Sequence, residues 1–212
     1  MFNHARGLWG YTGLASDGAP LTIQATGLGA ASAAIITAEL CALGLGTFIR
    51  VGTARSLQAG GEPAPGQVVA VTAALAGDGP SQALGARGTV RPDAALTARL
   101  VRETTVSAVV ATADLPHPDA GLLTTWVHAG ASLCDLQTAT VLQAAVVAEV
   151  AAAAVLVVTG TLSTTADEAL LTDDDLQASV TIAAHAAAAA LGLPPRDRPP
   201  SPAARDDEKA AA

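Results

Sequence analysis

The order of apolar and polar residues predicts strands and helices that alternate along almost the whole chain. Short Val-, Leu- and Ile-rich runs bounded by Gly, Pro or Asp are typical of strands, and longer Ala-rich runs are typical of helices. This alternation predicts an α/β fold. The predicted strands are residues 8–15, 21–26, 48–51, 67–75, 105–113 and 154–161. The predicted helices are residues 31–43, 92–102, 122–130 and 138–153, and a last helix that begins at 173 and ends near 192.

The segment of residues 21–57 carries the most information about chemistry. It predicts a strand, a turn at Gly27, Leu28 and Gly29, a helix, and a second strand that stops at Thr53, which together make a βαβ unit. The turn places free backbone N–H groups at a helix N-terminus, where an anion can bind. Arg50 then lies at the C-terminal end of an apolar strand, which is where open α/β sheets bind ligands.

Five short blocks resemble the purine nucleoside phosphorylase/uridine phosphorylase family. GYTG at 10–13, ATGLG at 25–29 and FIRVGT at 48–53 are similar to the family's GFTG- or GYTG-like hairpin, its TGMG and its IRVGTCGA. More weakly, ADLPH at 113–117 resembles STDLFY, and CDLQTAT at 134–140 resembles VEMEAAT. The resemblance implies the family's three-layer fold, in which a mixed central β-sheet is flanked by helices on both faces.

The resemblance also implies an activity. In phosphorolysis, phosphate attacks C1′ of a purine or pyrimidine nucleoside and releases the free base and pentose 1-phosphate. Inorganic phosphate is then a co-substrate, and no metal or organic cofactor is expected. The implied catalytic residues are Gln137 and Arg50. The implied phosphate contacts are Arg50, Thr53, Gly27 and Arg6 of a neighbouring subunit, and the implied ribose or base contacts are Leu28, Leu136, Gln137 and His117.

Each of these residues also has a plainer interpretation. Arg50 could end its strand and pair with a surface carboxylate, and Asp135 and Gln137 could cap the helix that follows them. His117 could be a loop histidine without a role, and Arg6 a solvated residue near the N-terminus. The Gly turn half-matches a dinucleotide-binding fingerprint, but the acidic residue that should close the next strand is absent, so NAD binding is not favoured.

The sequence departs from the family at several implied site positions. Gln137 replaces a Glu that accepts hydrogen bonds from the ribose hydroxyls, and Arg55 replaces a Gly that lets the backbone approach the sugar. Leu162 takes the place of the Asp that protonates a leaving purine, and residues 118–125 lack the Gln-x-Arg pair of uridine-specific members. The Gly-Asp-Pro-x-Arg loop that precedes the first hairpin in the family is not found after Met1, so either the true start lies upstream or the protein lacks that strand and its Arg. We therefore expect a nucleoside phosphorylase-like glycosyltransferase of impaired activity; the alternative is a non-catalytic binding or regulatory member with a decayed site.

Composition limits the remaining classes. The 212 residues fit one domain at 1–193, followed by a Pro- and charge-rich tail at 194–212 that is predicted to be disordered. The 19 acidic against 11 basic side chains give a net charge of −8, which opposes nucleic-acid binding. The apolar run at 144–158 is too short for a membrane span, and neither a signal peptide nor a redox cysteine pattern is visible, so a cytoplasmic protein is expected. The resemblance implies a homo-oligomer built from dimers.

Overall fold

The computed structural model describes residues 7–15, 17–57, 62–162 and 170–193, and strands and helices alternate within these ranges. The strands are β1 (Gly10–Leu14), β2 (Pro20–Gln24), β3 (Thr47–Ser56), β4 (Val68–Ala76), β5 (Thr89–Val90), β6 (Val106–Thr112), β7 (Ala131–Asp135) and β8 (Ala151–Thr161). The helices are α1 (Gly29–Ala42), α2 (Gly79–Ala83), α3 (Ala94–Glu103), α4 (Ala120–His128), α5 (Thr138–Ala148) and α6 (Asp173–Ala190).

The central sheet is mixed and closes on itself. Its strand order is β5-β4-β6-β7-β3-β8, and β8 also pairs with β4, so that five of these strands form a closed ring. The β3–β8, β4–β6 and β6–β7 pairs are parallel, whereas the β3–β7, β4–β5 and β4–β8 pairs are antiparallel. The predicted α/β class and mixed central sheet are confirmed.

Strand β8 is covered by helices on both of its faces. Leu156 belongs to a core cluster with Leu142 of α5, whereas its neighbour Val155 belongs to a cluster with Leu100 of α3 and Ala183 of α6. Successive side chains of a strand point to opposite faces, so one apolar run fills two cores. Helices therefore flank both faces of the sheet, as the three-layer fold requires.

The hairpin of β1 and β2 is a separate two-stranded sheet, and the prediction of a βαβ unit is therefore wrong. Every residue of β2 pairs with β1 in an antiparallel ladder, from Gly10 opposite Gln24 to Leu14 opposite Pro20. The strand pairs with β1 instead of joining β3 in the central sheet. The exposure of β2 agrees with this pairing. Ile23 of β2 is 65% exposed, whereas strands of a parallel sheet are buried on both faces.

Arg50 does not end its strand, which corrects a second prediction. β3 continues past Thr53 to Ser56, because its parallel pairing with β8 resumes after an irregularity at Ala54 and Arg55. Arg50 therefore lies in the middle of a strand that is hydrogen-bonded to its neighbour. The rule that ligands bind at the carboxyl ends of strands therefore does not support a role for Arg50. Its role depends on the contacts of its side chain.

Two further differences follow from tertiary pairing. The predicted helix at 138–153 ends at Ala148, where Glu149 adopts a left-handed φ of 56°. The alanines from Ala151 onward then pair with β3 as part of β8, although alanine favours helices, because pairing and burial override local propensity. β7 was not predicted, and it supplies Asp135.

The double burial of β8 predicts the cost of a core truncation. Leu156 is fully buried, so Leu156→Ala should lower the free energy of unfolding by about 2–5 kcal/mol. Val101→Ala, at a residue of α3 that is 43% exposed, is the control and should change it by less than about 1 kcal/mol. Urea unfolding followed by circular dichroism measures both, and equal losses would contradict the packing of β8.

Candidate functional site

Six of the residues predicted to bind ligand line one cavity of about 240 Å³. They come from the turn before α1, from β3 and from the segment between β7 and α5, which are far apart in the sequence. These six are Gly27, Leu28, Arg50, Thr53, Leu136 and Gln137. The cavity is also lined by Gly29, Ala54, Arg55, Pro116, Cys134, Asp135, Thr159 and Leu162.

Arg50 is held against its own strand by an ion pair with a buried carboxylate. Its Nη2 donates a hydrogen bond to Oδ2 of Asp135 at 2.9 Å, and 10% of the Arg50 side chain is exposed. The guanidinium lies over Gly52, where an added β-carbon would collide with Nη1. Its Nε is buried without a hydrogen-bond partner among the described residues. The hydrogen bond to Asp135 uses one of the five N–H donors of the guanidinium, so the group keeps donor capacity.

Asp135 joins the strands of the site to the start of α5. Its carboxylate accepts hydrogen bonds from Thr112 Oγ1 of β6 at 2.7 Å, from Thr138 Oγ1 at 2.6 Å and from the Thr138 backbone N–H at 3.0 Å, besides the one from Arg50. Thr112 Oγ1 in turn accepts from the Ala139 backbone N–H at 2.9 Å. Asp135 thus caps α5, as the plainer sequence interpretation expected, and it also orients Arg50.

The turn before α1 has a shape that requires glycine. Gly27 and Gly29 have φ values of 75° and 78°, and a β-carbon at Gly27 would collide with Oγ of Ser32. That hydroxyl donates to the carbonyl oxygen of Thr26 at 2.7 Å. The N-cap residue Leu28 makes no side-chain capping bond, and the first turn of α1 has no acidic residue. The first N–H groups of α1 are therefore left for an anion or for water.

Gln137 is buried, and both ends of its amide are engaged. Nε2 donates to the carbonyl oxygens of Gly27 at 2.8 Å and Gly29 at 3.2 Å, and Oε1 accepts from Thr26 Oγ1 at 3.3 Å. Its side chain makes no capping bond to α5, so this part of the plainer interpretation does not describe it. Oε1 keeps a second lone pair that can accept a ligand hydroxyl.

The remaining wall of the cavity is poor in acids. Burial and the neighbouring Asp135 carboxylate raise the pKa of the Cys134 thiol to about 12, against the opposing effect of the Arg55 guanidinium. The thiol is therefore protonated at neutral pH and is neither a nucleophile nor an effective acid. Leu162 lies in the wall where the resemblance led us to look for an acid. Asp167 follows Leu162 by five positions in the sequence and is a second place to look for this acid, but it lies outside the described residues.

Of the implied site residues that the structure describes, His117 does not line the cavity. His117 is exposed, and its neighbour Pro116 lines the cavity instead. Arg6 lies outside the described residues, as does the tail at 194–212. The ion pair of Asp135 with Arg50 was not predicted. An Asp followed three residues later by Thr138 has the spacing of an N-terminal cap, but this local signal says nothing about a partner 85 positions away.

Residues 7–15, 17–57, 62–162 and 170–193 contain neither a membrane-spanning helix nor a metal-binding group of side chains. No helix there is long and apolar enough to cross a membrane. No group of three His, Cys, Asp or Glu side chains there could hold a metal ion. The expectation that the reaction needs no metal or organic cofactor stays a prediction.

Comparison with known proteins places the chain in a family. The family model of the phosphorylase superfamily matches residues 1–193, and the chain therefore belongs to the phosphorylase superfamily. A stretch of 66 residues is 46% identical to a guanosine phosphorylase of Halorubrum lacusprofundi. That stretch covers 31% of this chain and 27% of the relative's length. The family resemblance of the sequence motifs is confirmed.

The contact between Arg50 and Gly52 predicts how a single methyl group affects the site. Gly52→Ala should displace the guanidinium, which is the flexible end of a side chain, and weaken sulfate or phosphate binding by about tenfold or more. Gly46→Ala is the control, because an added β-carbon there meets open space. The anion-dependent rise in melting temperature measures both variants. An undiminished rise in Gly52→Ala would show that the position of Arg50 does not matter for anion binding.

Proposed function

We propose that this protein binds phosphate and a nucleoside and transfers the pentose from the base to phosphate. The observation that carries the proposal is the cavity, in which the Arg50 guanidinium, the Thr53 hydroxyl and the uncapped N-terminus of α1 come together. Guanidinium groups, hydroxyls and helix N-termini are groups that bind phosphate. Membership of the phosphorylase superfamily supports the same chemistry.

The proposed reaction is a displacement at C1′ of the sugar. A phosphate oxygen bonds to C1′ while the bond from C1′ to the base nitrogen breaks, and the base leaves with the electron pair and takes up a proton. Arg50 and Thr53 hold the phosphate, and the free lone pair of Gln137 Oε1 accepts one ribose hydroxyl. Positioning and electrostatic stabilisation are the contributions of the protein to this step.

The size of the cavity suggests how the substrates divide between it and the surface. Its volume of about 240 Å³ lies below the roughly 300–1,000 Å³ of common ligand pockets. We therefore place phosphate and pentose inside it and the base at its mouth, beside Leu28, which is 86% exposed, and Pro116. His117, next to Pro116, is then in a position to contact the base.

The same cavity leads us to propose that turnover is weak. Asp135 is the sole carboxylate among the described residues that line the cavity, and its oxygens already accept bonds from Arg50, Thr112 and Thr138. Among the described lining residues no further acid is available to protonate the leaving base, and Gln137 carries no charge to stabilise a positively charged sugar. The loss of one such group commonly lowers the rate about a hundredfold. The alternative proposal, a binding or regulatory protein that has lost turnover, rests on the same observation.

Guanosine is the first substrate to test, because the partial relative is a guanosine phosphorylase. We expect slow release of guanine that requires phosphate, measured by chromatography. Arg50→Ala should weaken phosphate binding by about 1.5–3 kcal/mol, the usual worth of a hydrogen bond to a charged group. Arg102→Ala, at an exposed arginine of α3, is the control and should behave as the parent.

The controls for this experiment separate binding from turnover. Arg50→Ala leaves a buried carboxylate without its cation, which commonly costs about 3–5 kcal/mol, so its fold is checked by circular dichroism and Arg50→Lys is measured beside it. Phosphate that raises the melting temperature without base release from guanosine, inosine or uridine would favour the non-catalytic alternative. No effect of phosphate on the parent would contradict the site itself.

We also propose that two copies of the chain associate through the β1–β2 hairpin. Tyr11 and Ile23 pair across it and are 55% and 65% exposed, and a lone two-stranded hairpin is at best marginally stable in water. A second copy would cover this apolar face. It would also bring the hairpin's preceding segment, with Arg6, to a neighbour, as the family resemblance implies.

Light scattering tests this association. The parent should have at least twice the 20.8 kDa mass of one chain at micromolar concentration. A double variant with Tyr11→Ser and Ile23→Thr should shift toward the monomer, because it removes apolar area from the proposed interface. Ile182→Thr, at a residue of α6 that is 56% exposed, is the matched control and should leave the mass unchanged. A monomeric parent would refute the proposal.

A further inference from the structure

The glycine turn before α1 is fastened to α5 by one side chain. Gln137 Nε2 donates to the carbonyl oxygens of Gly27 and Gly29, at 2.8 Å and 3.2 Å, and Gln137 Oε1 accepts from Thr26 at 3.3 Å. These contacts span 108 to 111 positions of sequence, so they are tertiary contacts and not part of the local turn. The side chain is 8% exposed, so water competes little for the same atoms.

A carboxamide is the side chain of this shape that can make all three bonds. The two carbonyl oxygens need donors, and the Thr26 hydroxyl donates to an acceptor, so one group must supply two hydrogens and one oxygen. A carboxylate has no hydrogen to donate and would face both carbonyl oxygens. The turn it fastens contains two glycines at positive φ, which have high backbone freedom without such a contact.

We propose that Gln137 is a positioning residue, whose amide holds the turn at Gly27 and Gly29 so that the N-terminus of α1 faces the anion in the cavity. The identity of that anion as phosphate rests on the proposed function, whereas the fastening of the turn does not. Binding then orders less backbone, because the turn is already held before the anion arrives. This role differs from accepting a ribose hydroxyl, which uses only the second lone pair of Oε1.

The proposal reverses an expectation based on charge alone. A negative charge at position 137 should help a positively charged sugar, so charge alone predicts that Gln137→Glu improves catalysis. The contacts instead predict a loss, because the introduced carboxylate cannot donate to Gly27 and Gly29. Its protonated form can donate once, so part of the function should return in acid.

The direction of this pH effect follows from the surroundings of the introduced carboxyl. Burial, the neighbouring carbonyl oxygens and Asp135 raise its pKa above the ordinary value, whereas Arg50 and Arg55 oppose this. Cys134 stays neutral, because its pKa is about 12. The protonated carboxyl fastens the turn below the raised pKa, and that contribution is lost as the pH rises through it.

The experiment uses sulfate, whose charge is constant between pH 5 and pH 8, and four variants of the full chain, of which the fourth is Thr26→Val. Gln137→Met keeps the shape without charge, donors or a strong acceptor. Gln137→Glu adds the charge. Gln143→Glu is the matched control, because Gln143 of α5 also donates its amide to a backbone carbonyl, that of Leu84 at 3.1 Å, and does not line the cavity. Calorimetry measures sulfate affinity, and amide hydrogen exchange of residues 26–34 measures how firmly the turn is held.

We expect Gln137→Met to bind sulfate roughly tenfold more weakly at every pH and to exchange its turn amides roughly tenfold faster, because the bonds to Gly27, Gly29 and Thr26 are all lost. Gln137→Glu should lose more affinity at pH 8 and regain part of it at pH 5. Gln143→Glu should match the parent in both measurements. Thr26→Val, which removes only the hydroxyl that orients the amide, should show a smaller loss in the same direction and serves if Gln137→Met does not fold.

Two results would overturn the proposal. Parental sulfate affinity in Gln137→Met would show that any loss in Gln137→Glu comes from charge repulsion and not from the turn. Parental exchange of residues 26–34 in both Gln137→Met and Thr26→Val would show that the amide does not fasten the turn. A parent that binds neither sulfate nor phosphate would instead refute the proposed function, and the exchange measurement would still decide whether Gln137 holds the turn.

Discussion

The buried carboxylate of Asp135 is the interaction on which the rest of the site depends. A carboxylate removed from water is stable only when donors surround it, and here they come from Arg50 of β3, Thr112 of β6 and Thr138 of α5. These donors belong to three elements of the central fold. Satisfying one charge therefore fixes the position of β3, β6 and the start of α5 relative to β7, and the cavity is the space left between them.

This arrangement also sets the charge of the cavity. Among its described lining residues, the guanidinium groups of Arg50 and Arg55 face one carboxylate, so the cavity is positive although the chain carries −8. An anion bound in the proposed site would compete with Asp135 for Arg50, but Asp135 has hydroxyl and backbone donors of its own. Such an anion could therefore use the remaining donors of Arg50 without leaving the buried Asp135 carboxylate unsatisfied.

The sequence predicted the α/β class and six of the fourteen residues that line the cavity, because motif residues such as Arg50 and Gln137 are recognisable wherever the fold places them. It also predicted a first hairpin arm at 8–15, which pairs with β2. It did not predict that β2 stays outside the central sheet or that β3 extends to Ser56, because both depend on tertiary neighbours and not on local pattern. β7 reads ASLCD, which is too short and too mixed to indicate a strand, so its carboxylate could not be placed. The ion pair of Arg50 with Asp135 joins residues 85 positions apart, and only the strand topology brings them together.

The amide of Gln137 holds the turn at Gly27 and Gly29 but carries no charge. A carboxylate at position 137 would interact more strongly with ribose hydroxyls, since charge-assisted hydrogen bonds are about twice as strong as neutral ones. The same carboxylate would lack the two hydrogens that reach Gly27 and Gly29, and a turn with two glycines at positive φ would lose its tie to α5. In the proposed site, the turn that faces the anion and the position that faces the sugar share one side chain. A gain in electrostatic stabilisation of the sugar would then weaken the turn that positions the phosphate, unless another residue held that turn.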